Sequence, residues 1–292
     1  MASLDDLKKR ISSVKSTQKI TKAMKMVAAS KLRRAQENAE KGRPYSDKMN
    51  NIILNLSNSI SDKENSPKLL TGSGEDKIHL CIVMTSDRGL CGGFNTNIIK
   101  KAKGYFQKII KEGKNLKIIT VGSKGYDQLK RIYKENIIEK ISFKESKYAN
   151  YFDADKVGKI IIDKFEKKEF DVCTIFYNQF KNVITQIPQE QQIIPLKASE
   201  VKKELETENI YEFEPEEDEI LSNLLPKNIS TQIFKAMLEN SASEQGSRMT
   251  AMDNATRNAG EMVDKLTIQY NRSRQAAITK ELIEIISGAE SL

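Results

Sequence analysis

Apolar side chains recur along residues 1–60 at the spacing of one face of an α-helix. Ser3 can cap this helix, and Asp5 and Asp6 fall in its first turn, where the helix dipole favours acids. We expect an irregularity at Gly42–Pro44, after which the pattern resumes. The stripe is as narrow as a coiled-coil seam. Its positions are Leu4, Leu7, Ile11, Val14, Met24, Val27, Ala28, Leu32, Ala35, Ala39, Met49, Ile53, Leu56 and Ile60.

A second helical stripe runs through the carboxyl-terminal part of the chain. Pro226 suits a first helical position, Gly288 suits a stop, and no Pro lies between them. The apolar and small side chains alternate steps of four and three, which is a heptad pattern. They are Met252, Thr256, Ala259, Val263, Leu266, Tyr270, Ser273 and Ala277. Both helices would be about 85–90 Å long at the helical rise. Matched lengths and single seams predict a mutual antiparallel coiled coil, with two separate bundle helices as the alternative.

The middle of the chain has a different periodicity. Apolar runs typical of buried strands alternate with helical patterns, which predicts a mostly parallel sheet covered on both faces. The strands are expected at 78–84, 116–121 and 171–177, the helices at 97–111, 123–134 and 154–168, and a final pair of strands at 183–188 and 192–196. The predicted fold class is therefore α/β: a small Rossmann-like domain bracketed by the two coiled-coil helices.

These patterns divide the chain into five parts. They are an N-terminal coiled-coil helix (1–60), a linker (61–76), an α/β globular domain (77–197), an acidic connector (198–226) and a C-terminal coiled-coil helix (227–292). Within the connector, residues 204–219 hold nine acids and no base. They are interpreted either as a solvated connector or as a segment that contacts a basic partner.

Composition favours an elongated protein without a membrane span. Of the 292 residues, 38% are hydrophobic and 30% are charged, which is little core for a compact domain of this length. No apolar run reaches the roughly 20 residues that cross a bilayer, and no secretory signal is expected. The three cysteines are too few and too scattered for a disulfide framework or a zinc site, so a reducing compartment is expected.

One glycine-rich turn is the main candidate for chemistry. It runs from Thr85 to Asn97 between a predicted strand and a helix, where a phosphate-binding turn would lie. It matches neither common phosphate-binding spacing and ends without a lysine, so a purely structural turn is the favoured interpretation. His79, the only histidine, falls within a strand, and Cys91 has no histidine base. We predict no catalytic residue, no metal site and no cofactor.

The net charge of +8 is concentrated in the first helix. Ten bases and no acid lie between Leu7 and Gln36, and they surround the helix instead of forming a stripe. Nucleic-acid binding would favour a reading helix with aromatic side chains or a dimer fork, and neither is evident. A basic collar suits a rod that passes an acidic protein surface.

Four blocks of sequence resemble the γ-subunit family of F-type ATP synthases over almost the whole chain. The blocks are Ser16–Lys31, the turn Thr85–Asn97, Ala242–Met252 and Tyr270–Leu282. The resemblance implies a central rotor shaft that stands inside an α3β3 catalytic ring, with its foot on the ε subunit and the c-ring. It also implies that proton flow turns the shaft and that the nucleotide chemistry belongs to the β subunits. The expected location is the cytoplasmic face of a bacterial inner membrane, as a peripheral, non-catalytic subunit.

The resemblance also assigns roles to individual positions. Met24, flanked by Lys22 and Lys25, corresponds to the methionine that faces an acidic lever of the β subunit. The polar positions that latch the shaft to the ring or couple rotation correspond to Arg248, Gln275, Thr279 and Glu281, with Arg274 beside them. The rival functions are a nucleotide-binding α/β enzyme and a coiled-coil nucleic-acid binder, which salt-dependent DNA affinity would reveal.

Overall fold

The computed structural model describes residues 3–59, 67–144, 146, 148–196 and 217–290, apart from the side chains of 54–59, 217–219 and 290. The helices are α1 (Leu4–Ser59), α2 (Lys68–Thr71), α3 (Phe94–Lys111), α4 (Ser123–Leu129), α5 (Tyr151–Glu166) and α6 (Glu217–Glu290). The strands are β1 (Ile78–Met84), β2 (Asn115–Val121), β3 (Ile137–Ile141), β4 (Val172–Phe180) and β5 (Gln186–Ile194). Contacts group the chain into unit 1 (Met1–Ala29 with Arg248–Leu292) and unit 2 (Ser30–Ser247).

Unit 2 contains one five-stranded sheet in the order β3-β2-β1-β4-β5. The first four strands are parallel and β5 runs antiparallel to β4. The strand order reverses at β1, which has β2 on one side and β4 on the other. The turn after β1 therefore lies at the switch point of an open α/β sheet, where ligands of such folds commonly bind. The predicted mostly parallel α/β fold is confirmed.

Helices cover both faces of this sheet. On one face, α3 and α4 pack Ile98, Phe106 and Leu129 on Cys81, Val83 and other side chains of the strands. On the other face, α5 and the first part of α6 contribute a second core, which includes Val157, Ile161, Ile229 and Ile233. A third, smaller cluster joins α1 to α6 and contains Met49, Ile53, Leu221 and Leu225. Burial on both faces explains why the central strands read as continuous apolar runs.

Unit 1 consists of the start of α1 and the end of α6, which are antiparallel. The Thr256 hydroxyl donates to the Thr21 hydroxyl at 2.8 Å, and the Lys25 ammonium pairs with Asp253 at 2.6 Å. Residue numbers thus rise along one helix as they fall along the other. All eight predicted heptad positions of α6 are buried or half-buried. The antiparallel coiled coil predicted from the two seams is confirmed, although Val27, predicted on the α1 stripe, is 56% exposed.

Three predictions about helix ends and interruptions are wrong. α1 continues through Gly42–Pro44. Glycine at position 42 permits close packing of α1 on α6, because a side chain there would meet Leu238 at 3.0 Å. α6 begins at Glu217, ahead of Pro226, because burial of Leu221 and Leu225 outweighs the hydrogen bond lost at proline. It also continues past Gly288 to Glu290.

Three predictions about the strands and the linker also need correction. The final pair of strands is one strand, β5, since Val183–Thr185 form a turn closed by the Asn182 side chain, which accepts from Ile184 N and Thr185 N. β3 was not predicted, because its half-exposed, charged pattern resembles a loop. Part of the predicted linker forms α2, whose Leu69 and Leu70 pack on the cluster around Ile53.

Some predictions fall outside the described residues. They concern the side chains of Leu56 and Ile60, residues 61–66 of the linker and the acidic residues 204–216. Within the described part of the chain, no helix is long and apolar enough to cross a membrane.

Candidate interaction surfaces

The basic stretch of α1 carries three of the predicted site residues. Met24 is half-buried and Lys22 is exposed. Lys25 forms its ion pair with Asp253 of α6, and the hydrogen bond and positive charge of the Lys25 ammonium lower the pKa of that carboxyl below its ordinary value. Although the basic stretch of α1 contains no acid of its own, Lys25 is thus paired with an acid of α6. Nearby, Arg33 pairs with Glu37 and Arg34 donates to the Tyr148 hydroxyl.

The end of α6 carries the other group of predicted residues. Arg274, Gln275, Thr279 and Glu281 are all exposed. The Thr279 hydroxyl donates to the Gln275 carbonyl at 2.9 Å. Its hydrogen is therefore used, and its oxygen is left to accept a hydrogen bond from a partner. Arg248 lies on the same helix, some 40 Å from Gln275 by the helical rise, and is half-buried. The structure therefore places the predicted positions in two separate regions of α6.

An apolar helix end was missed by the sequence reasoning. The heptad seam stops at Ala277, and every described side chain from Ile278 to Ala289 is exposed. Five of these are large and aliphatic: Ile278, Leu282, Ile283, Ile285 and Ile286. The sequence does indicate this exposed apolar surface, because these residues follow the heptad seam but do not continue its spacing. Such a grouping of exposed apolar side chains is typical of a surface that another protein covers.

The glycine-rich turn after β1 is held by its own side chains. Asn95 at the start of α3 accepts from the Ser86 amide at 2.9 Å and lies 3.3 Å from the Cys91 sulfur. Leu90 has a left-handed backbone (φ 63°) and is 62% exposed. The Ser247 hydroxyl of α6 donates to the Cys91 carbonyl at 2.8 Å. The Ser86 amide, the Asn95 side chain and the Cys91 carbonyl are thus engaged inside the protein.

Asp87 places a carboxylate at the same switch point. It accepts from the amide and hydroxyl of Ser123, the hydroxyl of Ser142 and the amide of Phe143. Desolvation opposes ionisation, but these hydrogen bonds outweigh it and lower the pKa of Asp87. A fixed negative charge here disfavours a phosphate. No group of three or more metal-ligating side chains occurs among the described residues.

A buried ion pair in unit 2 was also missed. The Glu239 side chain of α6 is only 3% exposed and accepts from the Arg43 guanidinium at 2.7 Å and the Phe180 amide at 2.9 Å. Arg43 also donates to the Phe180 carbonyl. The pair therefore connects α1, α6 and the end of β4. Sequence alone gives no signal for it, because the partners lie almost 200 residues apart in the chain.

Together these features define a class of protein: an α/β domain inserted between two long helices that pair with each other and leave apolar and charged surface uncovered. The chain belongs to the ATP synthase family, since the family model described as ATP synthase matches residues 3–292. It is 85% identical over 292 residues to the ATP synthase gamma chain of Pelagibacter ubique (strain HTCC1062), with 100% of both chains covered. It is 57% identical to the gamma chain of Rhizobium etli (strain CIAT 652), again with 100% of both covered.

Solved structures agree with this family. The central stalk and c-ring structure of the Tetrahymena thermophila mitochondrial ATP synthase contains a chain that matches with a TM-score of 0.62 and 27% identity. The match covers 81% of this chain and 99% of that one. A chain of the Euglena gracilis mitochondrial ATP synthase matches with a TM-score of 0.69, covering 99% and 94%, and at 18% identity it supports the fold alone.

Proposed function

We propose that the chain is the central-stalk rotor of a proton-translocating rotary ATP synthase, and that it couples rotation of a c-ring to ATP synthesis in an α3β3 ring. The observation that carries this proposal is the 85% identity to a gamma chain over the full length of both chains. The antiparallel pairing in unit 1 supports it, because two paired helices resist bending and twisting better than one.

In this role the chain is a non-catalytic subunit. The helices α1 and α6 form the shaft, and residues 77–197, together with the parts of both helices that belong to unit 2, form the foot. The foot contacts an ε subunit and the c-ring, and the enzyme lies peripherally on the cytoplasmic face of a bacterial inner membrane. Apolar side chains at the end of α6 support insertion of that end into a protein sleeve, where each would be removed from water.

The coupling residues follow from the same proposal. Met24, Lys22 and Lys25 face an acidic lever of a β subunit, although the pairing of Lys25 with Asp253 leaves Lys22 as the more available cation. Gln275 and Thr279, four residues apart on one face of α6, form hydrogen bonds with the stationary ring that break and re-form during rotation. Glu281 and Arg274 contact the ring from other sides of the helix. Arg248 couples rotation in its separate region of α6.

Rotation can be measured on the assembled enzyme. All three native cysteines are buried, so a cysteine at exposed Gln107 on α3 can carry a bead selectively. With the α3β3 ring fixed to glass, ATP should turn the bead in one direction. A bead on a subunit of the ring itself is the control and should stay still. Steady ATP hydrolysis with a stationary bead on Gln107→Cys would overturn the proposed function.

A further inference from the structure

A large cleft opens in unit 2 at the edge of the sheet where the parallel strands begin. Its volume is about 710 Å³, within the range of sites that hold a small molecule. Ile78 and Asn115, the first residues of β1 and β2, line it, so it lies at the opposite edge of the sheet from the glycine-rich turn. The end of α5 and the first turns of α6 supply further walls. We name it the amino-edge cleft.

The cleft presents apolar surface that the protein itself leaves uncovered. Phe165 and Phe170 line it and also belong to the core of unit 2, so packing fixes these walls. An apolar ligand would remove accessible apolar surface of the lining from water, which favours binding. The lining residues that keep part of this surface accessible are the half-buried Pro67, Leu69, Ile78 and Pro226.

Two of the three acidic side chains of the lining are occupied within the protein. Asp171 accepts from the Ser73 hydroxyl at 2.6 Å and from two backbone amides at 2.9 and 3.0 Å. Glu75 pairs with the Lys77 ammonium, another group of the lining, at 3.1 Å. Glu166 is the third acid, and it is exposed.

Two lysines of the lining remain for a ligand. Lys68 and Lys168 are exposed, and neither forms an ion pair with a carboxylate among the described residues. They outnumber Glu166, so the groups left over in the cleft carry net positive charge. Lys168 also has a left-handed backbone (φ 55°), where glycine or asparagine is the usual residue. Such backbone outliers cluster at sites that bind ligands.

We propose that the amino-edge cleft binds a fatty acid, with its chain on the half-buried apolar side chains and its carboxylate at Lys68 and Lys168. The two lysines determine the sign of the head group, because a cationic head would be repelled there. The volume admits one chain, whereas a membrane phospholipid carries two. An anionic phospholipid shares the same chemistry, and the experiment below separates the two sources. The inference goes beyond the rotor function and does not depend on it.

Titration of the full-length chain with laurate, kept below its micelle concentration, tests the proposal by calorimetry. We expect saturable binding and a raised melting temperature, because a ligand that binds only the folded state stabilises it. Dodecyltrimethylammonium, which has a chain of the same length and a cationic head, should bind more weakly. Vesicles of phosphatidylglycerol form the second arm. A chain that sediments with these vesicles but does not bind free laurate would overturn the proposal.

Charge removal tests the head group. Lys68→Asn combined with Lys168→Asn removes both lysines, and asparagine tolerates the left-handed backbone at position 168. We expect laurate to bind about tenfold more weakly, because charge-assisted contacts are lost. Lys167→Asn, an exposed neighbour outside the lining, is the control and should keep the original affinity. Unchanged binding in the double variant, or an equal loss in Lys167→Asn, would contradict the proposal.

Ser222→Trp tests where the chain lies. Ser222 is exposed on α6 and lines the cleft, so a tryptophan there should occupy the cleft and abolish laurate binding without lowering the melting temperature. Asn223→Trp, at the next position and outside the lining, should bind laurate normally. Full binding by Ser222→Trp would overturn the proposal, while a rotating bead on Gln107→Cys would leave the rotor function standing.

Discussion

The two units of this chain are stabilised by different kinds of interior. Unit 2 buries large aliphatic and aromatic side chains on both faces of a sheet, and Phe106, Phe170 and Phe176 are almost fully buried. Among the described residues of unit 1, the buried ones are only Leu7, Thr21, Ala28, Met252 and Ala259, and three of these five are small or polar. Its helices meet along one seam and expose the rest of their circumference.

This difference shows how one chain can combine a domain that is stable by itself, unit 2, with a helix pair that presents an interaction surface, unit 1. A sheet with helices on both faces stabilises itself, because most of its apolar surface is already removed from water. A single helix pair along a narrow seam buries little and keeps most side chains available. Unit 1 is therefore the part whose stability depends most on a surrounding partner, and the predictions below probe that contrast.

The largest effect is expected from truncation in the core of unit 2. Phe106→Ala should lower the free energy of unfolding by about 4 kcal/mol, because it leaves a cavity between Tyr133 and Phe176, whose rings it contacts. Leu266→Ala, half-buried in the seam of unit 1, should cost about 1 kcal/mol. Chemical denaturation followed by circular dichroism measures both. Equal losses would remove the contrast between the two interiors.

Two of the ion pairs between α1 and α6, one in each unit, should also differ. Arg43→Ala leaves the Glu239 carboxylate buried with only the Phe180 amide as donor, and we expect a loss of about 2–3 kcal/mol, at the low end because Arg43 is partly exposed. Lys25→Ala removes an exposed pair, which water already screens, and should leave the melting temperature almost unchanged. The melting temperatures of both variants, measured by thermal unfolding, test this difference. A larger shift from Lys25→Ala would contradict this reading of the two units.

Within unit 1, the two regions of α6 should have separable effects on the assembled enzyme. Gln275→Ala or Thr279→Ala should each remove a hydrogen bond worth about 1 kcal/mol and slow ATP turnover while the complex stays assembled. Thr279→Ser keeps the hydroxyl and is the matched control. Arg248→Ala should instead weaken assembly or uncouple proton pumping. Indistinguishable rates, pumping and subunit stoichiometry for all three alanine variants would show that the regions act as one.

The smallest effect is a pH dependence in unit 2. Because the folded pKa of Asp87 lies below its ordinary value of 3.8, its contribution to stability is present above that value. It is lost as the pH falls through the lowered folded pKa. The difference in unfolding free energy between the wild type and Asp87→Asn should therefore become smaller as the pH is lowered from about 5 to about 3. A gap that stays constant across this acidic range would mean that the hydrogen-bonded carboxylate contributes nothing through its charge.

Sequence patterns predicted the parts of the fold that depend on local spacing. The heptad positions from Met252 to Ala277 and the central strands β1, β2 and β4 were predicted because burial repeats with a fixed period. The seam of α1 was interrupted in the prediction because Gln18 and Thr21, which are half-buried and buried there, are polar. Pro226 was interpreted as a helix start and Gly42–Pro44 as an irregularity because propensity acts locally. Packing between distant segments decides otherwise: Leu221 and Leu225 cluster with Met49, and Leu238 lies against Gly42.

The candidate surfaces were predictable only in part. The positions of Met24, Gln275 and Thr279 came from the resemblance to a family, and no local pattern distinguishes them from other helix residues. The apolar end of α6 was visible in the sequence but was not used. The Arg43–Glu239 pair required the structure, because it combines side chains from segments far apart in the chain.

Hydrogen–deuterium exchange on the full-length chain, alone and in the complete enzyme, tests the contrast between the units most directly. The amides of β1, β2 and β4 should be strongly protected in both states, because unit 2 stabilises itself. The amides of α6 from Arg248 onward should exchange much faster in the isolated chain and become protected in the enzyme, most of all from Ile278 to the end of the helix. Equal protection of the two units in the isolated chain would contradict the account.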